Sequence, residues 1–290
     1  MRRFFYSSDT PNLSLQQLPL DSELLLTDDI YHHWCRVLRA KVGEQSLIFD
    51  GLGGNSLIEL IEVDKKTATA RILAHHSSDN ISTFYSSIAL VMSRGDRMDY
   101  AIQKATELGA TAIQLLTSQH GEVRLKANQV DKKLNHWQQV ALSACEQCGL
   151  NRPPLILSPV SIEEWLQGKK GDVHDSVQLL VTDDFYQGLW QQTPVALVLA
   201  VPSQQEKQTL NVDGKIRQQF SRSVTTQSQH AHPRFDLLIG AEGGLSEQEY
   251  QLARDAGYLP WQLGNRVLRT ETAPVVALST LLYISTATLA

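Results

Sequence analysis

The spacing of apolar residues changes near residue 80, which divides the chain into two parts. In the first part, short apolar runs separated by tight turns predict strands at residues 3–6, 46–49, 56–63 and 67–73. Between the first two strands, Asp28 or Asp29 is expected to cap a helix through residues 31–39. Short strands joined by tight turns are typical of a small barrel, so residues 1–76 are predicted to form a β-rich domain.

Strands and helices alternate after a polar, turn-prone linker at residues 75–83. The apolar pattern predicts strands at 87–92 and 112–116, and helices from Asp96 to Gly109 and over about 130–148. Such alternation is typical of an α/β domain with a mainly parallel sheet, here residues 84–290.

The pattern is less informative between residues 161 and 232. Two apolar runs, 177–181 and 195–201, compete for one strand position, and the second is favoured as the core strand. Residues 203–232 are rich in Gln, Ser and Thr, so they are predicted to form a mobile surface insertion.

Two predicted strands near the C-terminus each end in a glycine loop. The strand at 236–239 is followed by residues 240–244 (GAEGG) and a helix that Ser246 caps, and the strand at 261–263 is followed by Gly264. In an open α/β sheet, ligands lie beyond the carboxyl ends of strands, where glycines let the backbone approach them. No Gly-Lys-Ser/Thr follows, so this is not a P-loop, and the glycines alone leave an ordinary strand-to-helix turn open.

The sequences of both loops carry a family resemblance. LLIGAEGGLSEQE at 237–249 and LGNRVLRTETA at 263–273 resemble the SPOUT class of S-adenosylmethionine-dependent RNA methyltransferases. More narrowly, these loops and the segments at 94–109 and 138–154 resemble the RsmE family, which methylates N3 of a uridine in 16S ribosomal RNA. The chain departs from that family at several positions: Gln119 and His120 for Glu-Arg, Leu150 for Arg, and Ala241 and Asn265 for Pro.

The resemblance implies the fold and the cofactor. It implies an N-terminal PUA-like β-barrel followed by a SPOUT α/β domain whose C-terminal segment forms a trefoil knot, and a homodimer that completes each active site. The implied cofactor is S-adenosylmethionine. Its expected contacts come from the two loops: Ile239, Gly240, Glu242, Gly243, Gly244, Leu263, Gly264, Val267, Leu268 and Thr270.

Methylation at uridine N3 requires loss of the N3 proton. We expect Arg269, with Arg266, to stabilise the uridine anion, and Glu242 to accept the proton or orient the substrate. Glu242 could instead cap the amides of its own loop. Glu271 is expected to cap the last helix or to pair with an arginine.

The formal charge of −5 argues against a broad nucleic-acid-coating surface, so RNA contact must come from local basic patches. The expected partner is 16S rRNA in the small ribosomal subunit, with its target uridine unpaired. The candidate RNA-binding residues are Arg2, Arg3, Arg36, Arg39, Arg124, Lys126 and Arg152. Two alternatives stay open: a SPOUT enzyme acting on another RNA atom, such as a tRNA ribose 2′-oxygen, and a catalytically weak RNA-binding ribosome-assembly factor.

Cysteine usage and the chain ends indicate a cytoplasmic protein. The three cysteines, Cys35, Cys145 and Cys148, cannot all pair, and residues 1–9 contain no apolar signal region. Cys145 and Cys148 have CxxC spacing, but no second Cys/His pair completes a zinc site, so no metal is expected. The uncharged residues 273–290 are expected to form a buried helix and not a membrane span.

Overall fold

The structure, a computed structural model, describes residues 1–7, 14–199, 212–225 and 232–289. The contacts divide the chain into two compact units, residues 1–81 with 142–153, and residues 82–141 with 154–290. The first unit therefore includes a segment that lies far along the chain from the rest of it. Sequence patterns cannot show this, because no local feature marks where a helix passes from one unit to another.

The first unit is built on a five-stranded sheet in the order β1-β3-β4-β5-β2. β1 pairs with β3 in parallel, and the other neighbours are antiparallel. Four strands were predicted within a few residues of their ends, whereas β2 was missed because it has only three residues. The strands are β1 (Arg2–Phe5), β2 (Glu23–Leu25), β3 (Gln45–Phe49), β4 (Asn55–Val63) and β5 (Ala68–His76).

The predicted helix of the first unit exists, but its cap differs from the prediction. Thr27, and neither Asp28 nor Asp29, is the N-cap, since its hydroxyl accepts a hydrogen bond from the Ile30 amide at 3.4 Å. The helix α1 (Asp28–Ile30) continues into a π-helical segment, Tyr31–Val37. The two aspartates occupy its first turn, where the helix dipole favours negative charge.

The second unit is built on a six-stranded sheet in the order β11-β9-β10-β6-β7-β8, and every neighbouring pair is parallel. This confirms the predicted α/β class with a mainly parallel sheet. The strands are β6 (Tyr85–Val91), β7 (Ala112–Thr117), β8 (Leu155–Ser161), β9 (Pro194–Leu199), β10 (Arg234–Ile239) and β11 (Leu259–Trp261). β8 was not predicted. Of the two apolar runs that competed for one strand position, the run at 195–201 forms β9, and the structure describes its residues up to 199. The rival run lies in a 3₁₀ helix, Asp175–Thr182.

Helices cover the sheet, and they are α2 (Asp96–Glu107), α3 (Ala127–Cys148), α4 (Ile162–Leu166), α5 (Asp184–Gln191), α6 (Val212–Thr225), α7 (Glu247–Asp255) and α8 (Ala273–Leu289). α6 corrects the expectation of a mobile surface insertion for the part of 203–232 that the structure describes. Val212, Ile216 and Phe220 are buried in the main core of this unit, at helical spacing. The polar residues between them concealed this period in the sequence.

Two further expectations concern metals and membranes. Within the described ranges, no group of three or more His, Cys, Asp or Glu is arranged to hold a metal ion. No described helix combines the length and the hydropathy that crossing a bilayer requires. Cys145 and Cys148 are both reduced cysteines on α3, the first buried and the second exposed.

Candidate functional site

The carboxyl ends of all six strands lie at one edge of the parallel sheet of the second unit. The loops that follow β6, β7, β10 and β11 carry the charged and glycine residues that the sequence singled out. The order of the strands places β10 next to β6, and β6 next to β7. Three of these loops are therefore neighbours although they come from distant parts of the chain.

The turn after β10 is compact because its backbone contacts itself. The Gly244 amide donates to the Ala241 carbonyl at 2.8 Å, and Gly244 has φ +74°. A Cβ built at Gly240 would lie only 3.0 Å from the carbonyl carbon of Gly244 and from the amide nitrogen of Leu245. Gly240 is thus required by close backbone approach, and Gly244 by its left-handed conformation.

The loop after β11 meets this glycine turn. The Thr270 hydroxyl donates a 3.4 Å hydrogen bond to the Gly240 carbonyl, and Thr270 is buried. At the other end of this loop, Gly264 has φ +85°, and its carbonyl accepts a hydrogen bond from the Gln262 side chain. The fold therefore brings the two predicted cofactor loops together.

The apolar cofactor candidates differ in exposure. Ile239 is buried in the core, whereas Leu263 and Leu268 are half-buried and pack against it. Val267 is 65% exposed, which is unusual for a valine. The loop thus presents an apolar side chain to its surroundings close to Gly264.

One of the charged candidates, Glu242, has a partner that the sequence did not predict. Glu242 forms an ion pair with Arg97 of α2, and both side chains are about half exposed. Arg269 is 77% exposed, and its guanidinium lies 3.9 Å from the Glu271 carboxylate. Pairing with an arginine is one of the two roles expected for Glu271. Arg266 is exposed. Arg97 belongs to the segment that resembles the family, but only the tertiary fold pairs it with Glu242.

The loop after β7 joins the same region. A Cβ built at Gly243 would lie 3.6 Å from the Cβ of His120, so this loop lies next to the glycine turn. The buried Glu249 carboxylate fixes the arrangement, because it accepts from the Gln119 amide at 2.7 Å and the Ser246 amide at 2.8 Å. Sequence analysis missed this role of Glu249. The capping pattern, Ser246 followed three residues later by Glu249, could have indicated its bond to the Ser246 amide, but no sequence signal indicates its bond to Gln119.

A cavity of about 720 Å³ lies on the other side of the β7 loop. It is bounded by the end of β7 with its loop, the junction of β8 and α4, and the first turn of α7. Arg124 lines it, but none of the predicted cofactor-binding residues does. The cavity is therefore distinct from the meeting point of the two glycine loops.

The RNA-binding candidates of the first unit separate into two groups. Arg2, Arg36 and Arg39 are exposed. Arg3 is half-buried, donates to Asn151 at 2.5 Å and stacks on Phe49, and its desolvation lowers the pKa of its guanidinium.

The side chains of Arg152 and Leu150 both contact residues of their own unit. Arg152 forms an ion pair with Asp79 and donates to the Leu52 carbonyl at 2.9 Å. Leu150, where the family has an arginine, is buried in a small apolar cluster with Phe49. Arg152, like Arg3, therefore holds its own unit together. In the second unit, Arg124 and Lys126 are both exposed.

Comparisons with known proteins identify both parts of the chain. Residues 82–282 match the RNA methyltransferase domain family, and residues 26–73 match the RNA methyltransferase PUA domain. The ribosomal RNA small subunit methyltransferase E of Bacillus subtilis is 26% identical over 283 residues, which cover 98% of this chain and 96% of that relative. The ribosomal RNA small subunit methyltransferase E of Buchnera aphidicola subsp. Acyrthosiphon pisum is 25% identical, and the match covers 91% of this chain and 89% of that relative.

A solved structure extends the similarity to three dimensions. The ribosomal RNA small subunit methyltransferase E of Neisseria gonorrhoeae, bound to S-adenosyl methionine, is 29% identical. It superposes with a TM-score of 0.73, and the match covers 98% of each chain.

Proposed function

Because this chain belongs to the RNA methyltransferase family, we propose that it transfers a methyl group from S-adenosylmethionine to N3 of a uridine in 16S ribosomal RNA. Relatives named ribosomal RNA small subunit methyltransferase E, similar over nearly the whole chain, support this substrate class. The choice of N3 rests on the RsmE resemblance of the two loops.

One observation carries the proposal: the hydrogen bond from Thr270 to the Gly240 carbonyl. It joins two loops that lie 30 residues apart in the chain. Had the loops been distant, they could not have held one cofactor. Their contact at the carboxyl edge of a parallel sheet is the position where α/β proteins bind nucleotide-like ligands.

The residues present fit S-adenosylmethionine. Gly264 has open space where a Cβ would stand, and Gly243 has only His120 nearby, so a ligand can approach the backbone at both. The exposed Val267 offers an apolar surface that an adenine ring can cover. When bound, the cofactor supplies an electrophilic methyl group.

The chain's own residues must generate the nucleophile. The N3 lone pair of uridine becomes available only after loss of the N3 proton. Arg269, which is exposed in the loop beside Thr270, is proposed to stabilise the resulting anion, with Arg266 in support. Glu242, held by Arg97, is proposed to accept the proton or to orient the base.

The wider assembly follows from the same family relationship. We assign residues 1–76 to a PUA-like barrel that helps to hold RNA, and residues 84–290 to a SPOUT domain with a C-terminal trefoil knot. We further propose that the protein acts as a homodimer on the small ribosomal subunit in the cytoplasm. The exposed Arg2, Arg36 and Arg39, with Arg124 and Lys126, are the cations available for phosphates.

The proposal is tested by mapping modified nucleotides in 16S rRNA from cells with and without this protein. Mass spectrometry is expected to show one 3-methyluridine that is lost with the gene and restored by its expression. A lost 2′-O-methyl group instead would indicate another RNA atom. An unchanged spectrum, together with no binding of S-adenosylmethionine in calorimetry, would indicate a binding protein without catalysis.

A further inference from the structure

The cavity beside the β7 loop has the size and walls of a nucleobase site. Its volume of about 720 Å³ is within the range of small-molecule sites. Leu125, Val130, Pro159 and Ile162 contribute apolar surface, against which a planar ring can lie. Polar side chains line the rest of the cavity, so it suits a planar ring whose edge carries hydrogen-bonding groups.

Polar groups of the same cavity suit the edge and the backbone of a nucleotide. Gln119, Ser161 and Gln248 line it and can donate or accept hydrogen bonds at the edge of a base. Arg124 lines it as well, is exposed, and forms no ion pair with any described residue. Two carboxylates also line the cavity: Glu249, whose oxygens accept the Gln119 and Ser246 amides, and the exposed Glu163. Arg124 is therefore the group that can contact the phosphate that every nucleotide carries.

The cavity lies close to the glycine turn, because the β7 loop and the start of α7 adjoin both. His120 lies next to Gly243 of the glycine turn, while its neighbour Gln119 lines the cavity. The β7 loop is thus shared by the two places, and α7, which starts just after the glycine turn, contributes Gln248. A base bound here would be close to the target nucleotide without occupying the cofactor's place.

We propose that this cavity binds the base of a nucleotide that flanks the methylated uridine, extruded from the ribosomal RNA, with Arg124 at its phosphate. This inference rests on the proposed function. Binding a neighbouring base gives the enzyme sequence selectivity at a second position, and it stabilises the unstacked RNA strand that N3 methylation requires.

The experiment compares two tryptophan variants on one helix. Gln248→Trp fills the cavity from an exposed position in the first turn of α7, and Gln251→Trp adds the same side chain one turn later, outside the cavity. Small ribosomal subunits from cells lacking this protein serve as substrate, and S-adenosylmethionine affinity is measured by calorimetry. We expect Gln248→Trp to lower kcat/KM about tenfold or more, with cofactor affinity unchanged and Gln251→Trp close to wild type.

A second pair of variants tests the phosphate contact. Arg124→Gln is expected to raise KM for subunits and to reduce the salt dependence of binding by about one unit of slope. The control is Arg217→Gln, which removes one positive charge from α6. Because α6 packs against β9 and β11 at the other end of the sheet, this change should alter neither KM for subunits nor the salt dependence of binding.

The outcomes separate the two proposals. Wild-type activity of Gln248→Trp, or its loss of cofactor binding, would overturn the nucleobase site while leaving the methyltransferase intact. If the wild-type protein itself methylated no subunits, both proposals would fall.

Discussion

The Thr270 hydroxyl donates a 3.4 Å hydrogen bond to the Gly240 carbonyl, and this contact ties the loop after β11 to the turn after β10. Thr270 is buried, so water cannot readily replace the bond. The Thr270 side chain therefore helps to fix the relative position of the two loops.

Thr270→Val removes this bond with little change in shape. Loss of about 1 kcal/mol should weaken S-adenosylmethionine binding about fivefold, measured by calorimetry. Thr270→Ser keeps the hydroxyl and should bind near the wild-type level. Thr280→Val is the matched control, because among the residues that the structure describes the Thr280 hydroxyl donates only to the Val276 carbonyl of its own helix. Equal affinity of Thr270→Val and wild type would contradict the role of the junction.

Gly240→Ala should destabilise the fold. The new Cβ would lie 3.0 Å from backbone atoms of Gly244 and Leu245, so the turn must shift. We expect a loss of about 1–3 kcal/mol in the free energy of unfolding by urea. Gly243→Ala is the comparison, since its nearest contact is the His120 Cβ at 3.6 Å, and it should change stability by less than about 0.5 kcal/mol. If Gly243→Ala lowered the free energy of unfolding more than Gly240→Ala, the turn must be able to relax around a side chain at position 240.

Glu249→Gln should loosen the β7 loop. Both carboxylate oxygens accept backbone amides, from Gln119 and Ser246, and an amide side chain can present only one acceptor. The free energy of unfolding should fall by about 1–3 kcal/mol, and the Gln119 amide should exchange its hydrogen faster. Glu247→Gln, an exposed change in the same turn, should alter stability by less than about 0.5 kcal/mol. If Glu247→Gln lowered the free energy of unfolding as much, the loss in Glu249→Gln would come from removing negative charge at the helix N-terminus and not from its hydrogen bonds.

Glu242→Gln distinguishes proton acceptance from loop structure. If Glu242 accepts the N3 proton, kcat should fall by about 10²–10⁴ while cofactor affinity stays constant. Arg97→Gln removes its exposed partner, an interaction worth up to about 1 kcal/mol, and should cost no more than about fivefold in kcat. Similar losses in both variants would mean that the ion pair, and not the carboxylate as a base, is what catalysis needs.

Arg269→Gln should impair the chemical step and shift its pH dependence. A nearby cation stabilises the deprotonated uridine and so lowers the pKa of N3, which means that its removal should move the rising limb of kcat to higher pH. We expect kcat to fall about 10²–10³ at neutral pH, measured by single-turnover methylation. Arg217→Gln, on α6, is the control for lost charge. A pH profile that merely drops without shifting would indicate that Arg269 positions the RNA.

Local patterns in the sequence were sufficient for most regular elements. The alternation of strands and helices after residue 80 predicted the parallel sheet, because period is a property of neighbouring residues. The strand predicted at 261–263 is β11 at Leu259–Trp261, two residues earlier, so Gly264 lies inside the loop and not at its start. The other exceptions were β2, β8, α4 and α5, which went unpredicted, and α6, whose three buried residues stand among polar ones.

The sequence by itself determined the class of fold, the family resemblance and which loops are the candidates for the chemistry, since each depends on residues close together in the chain. Only the tertiary structure decided that Arg97 pairs with Glu242, that Glu249 holds the β7 loop, and that Arg3 and Arg152 are bound within their own unit. These contacts join residues tens to more than a hundred positions apart. Their partners are chosen by strand order and packing, which no local spacing encodes.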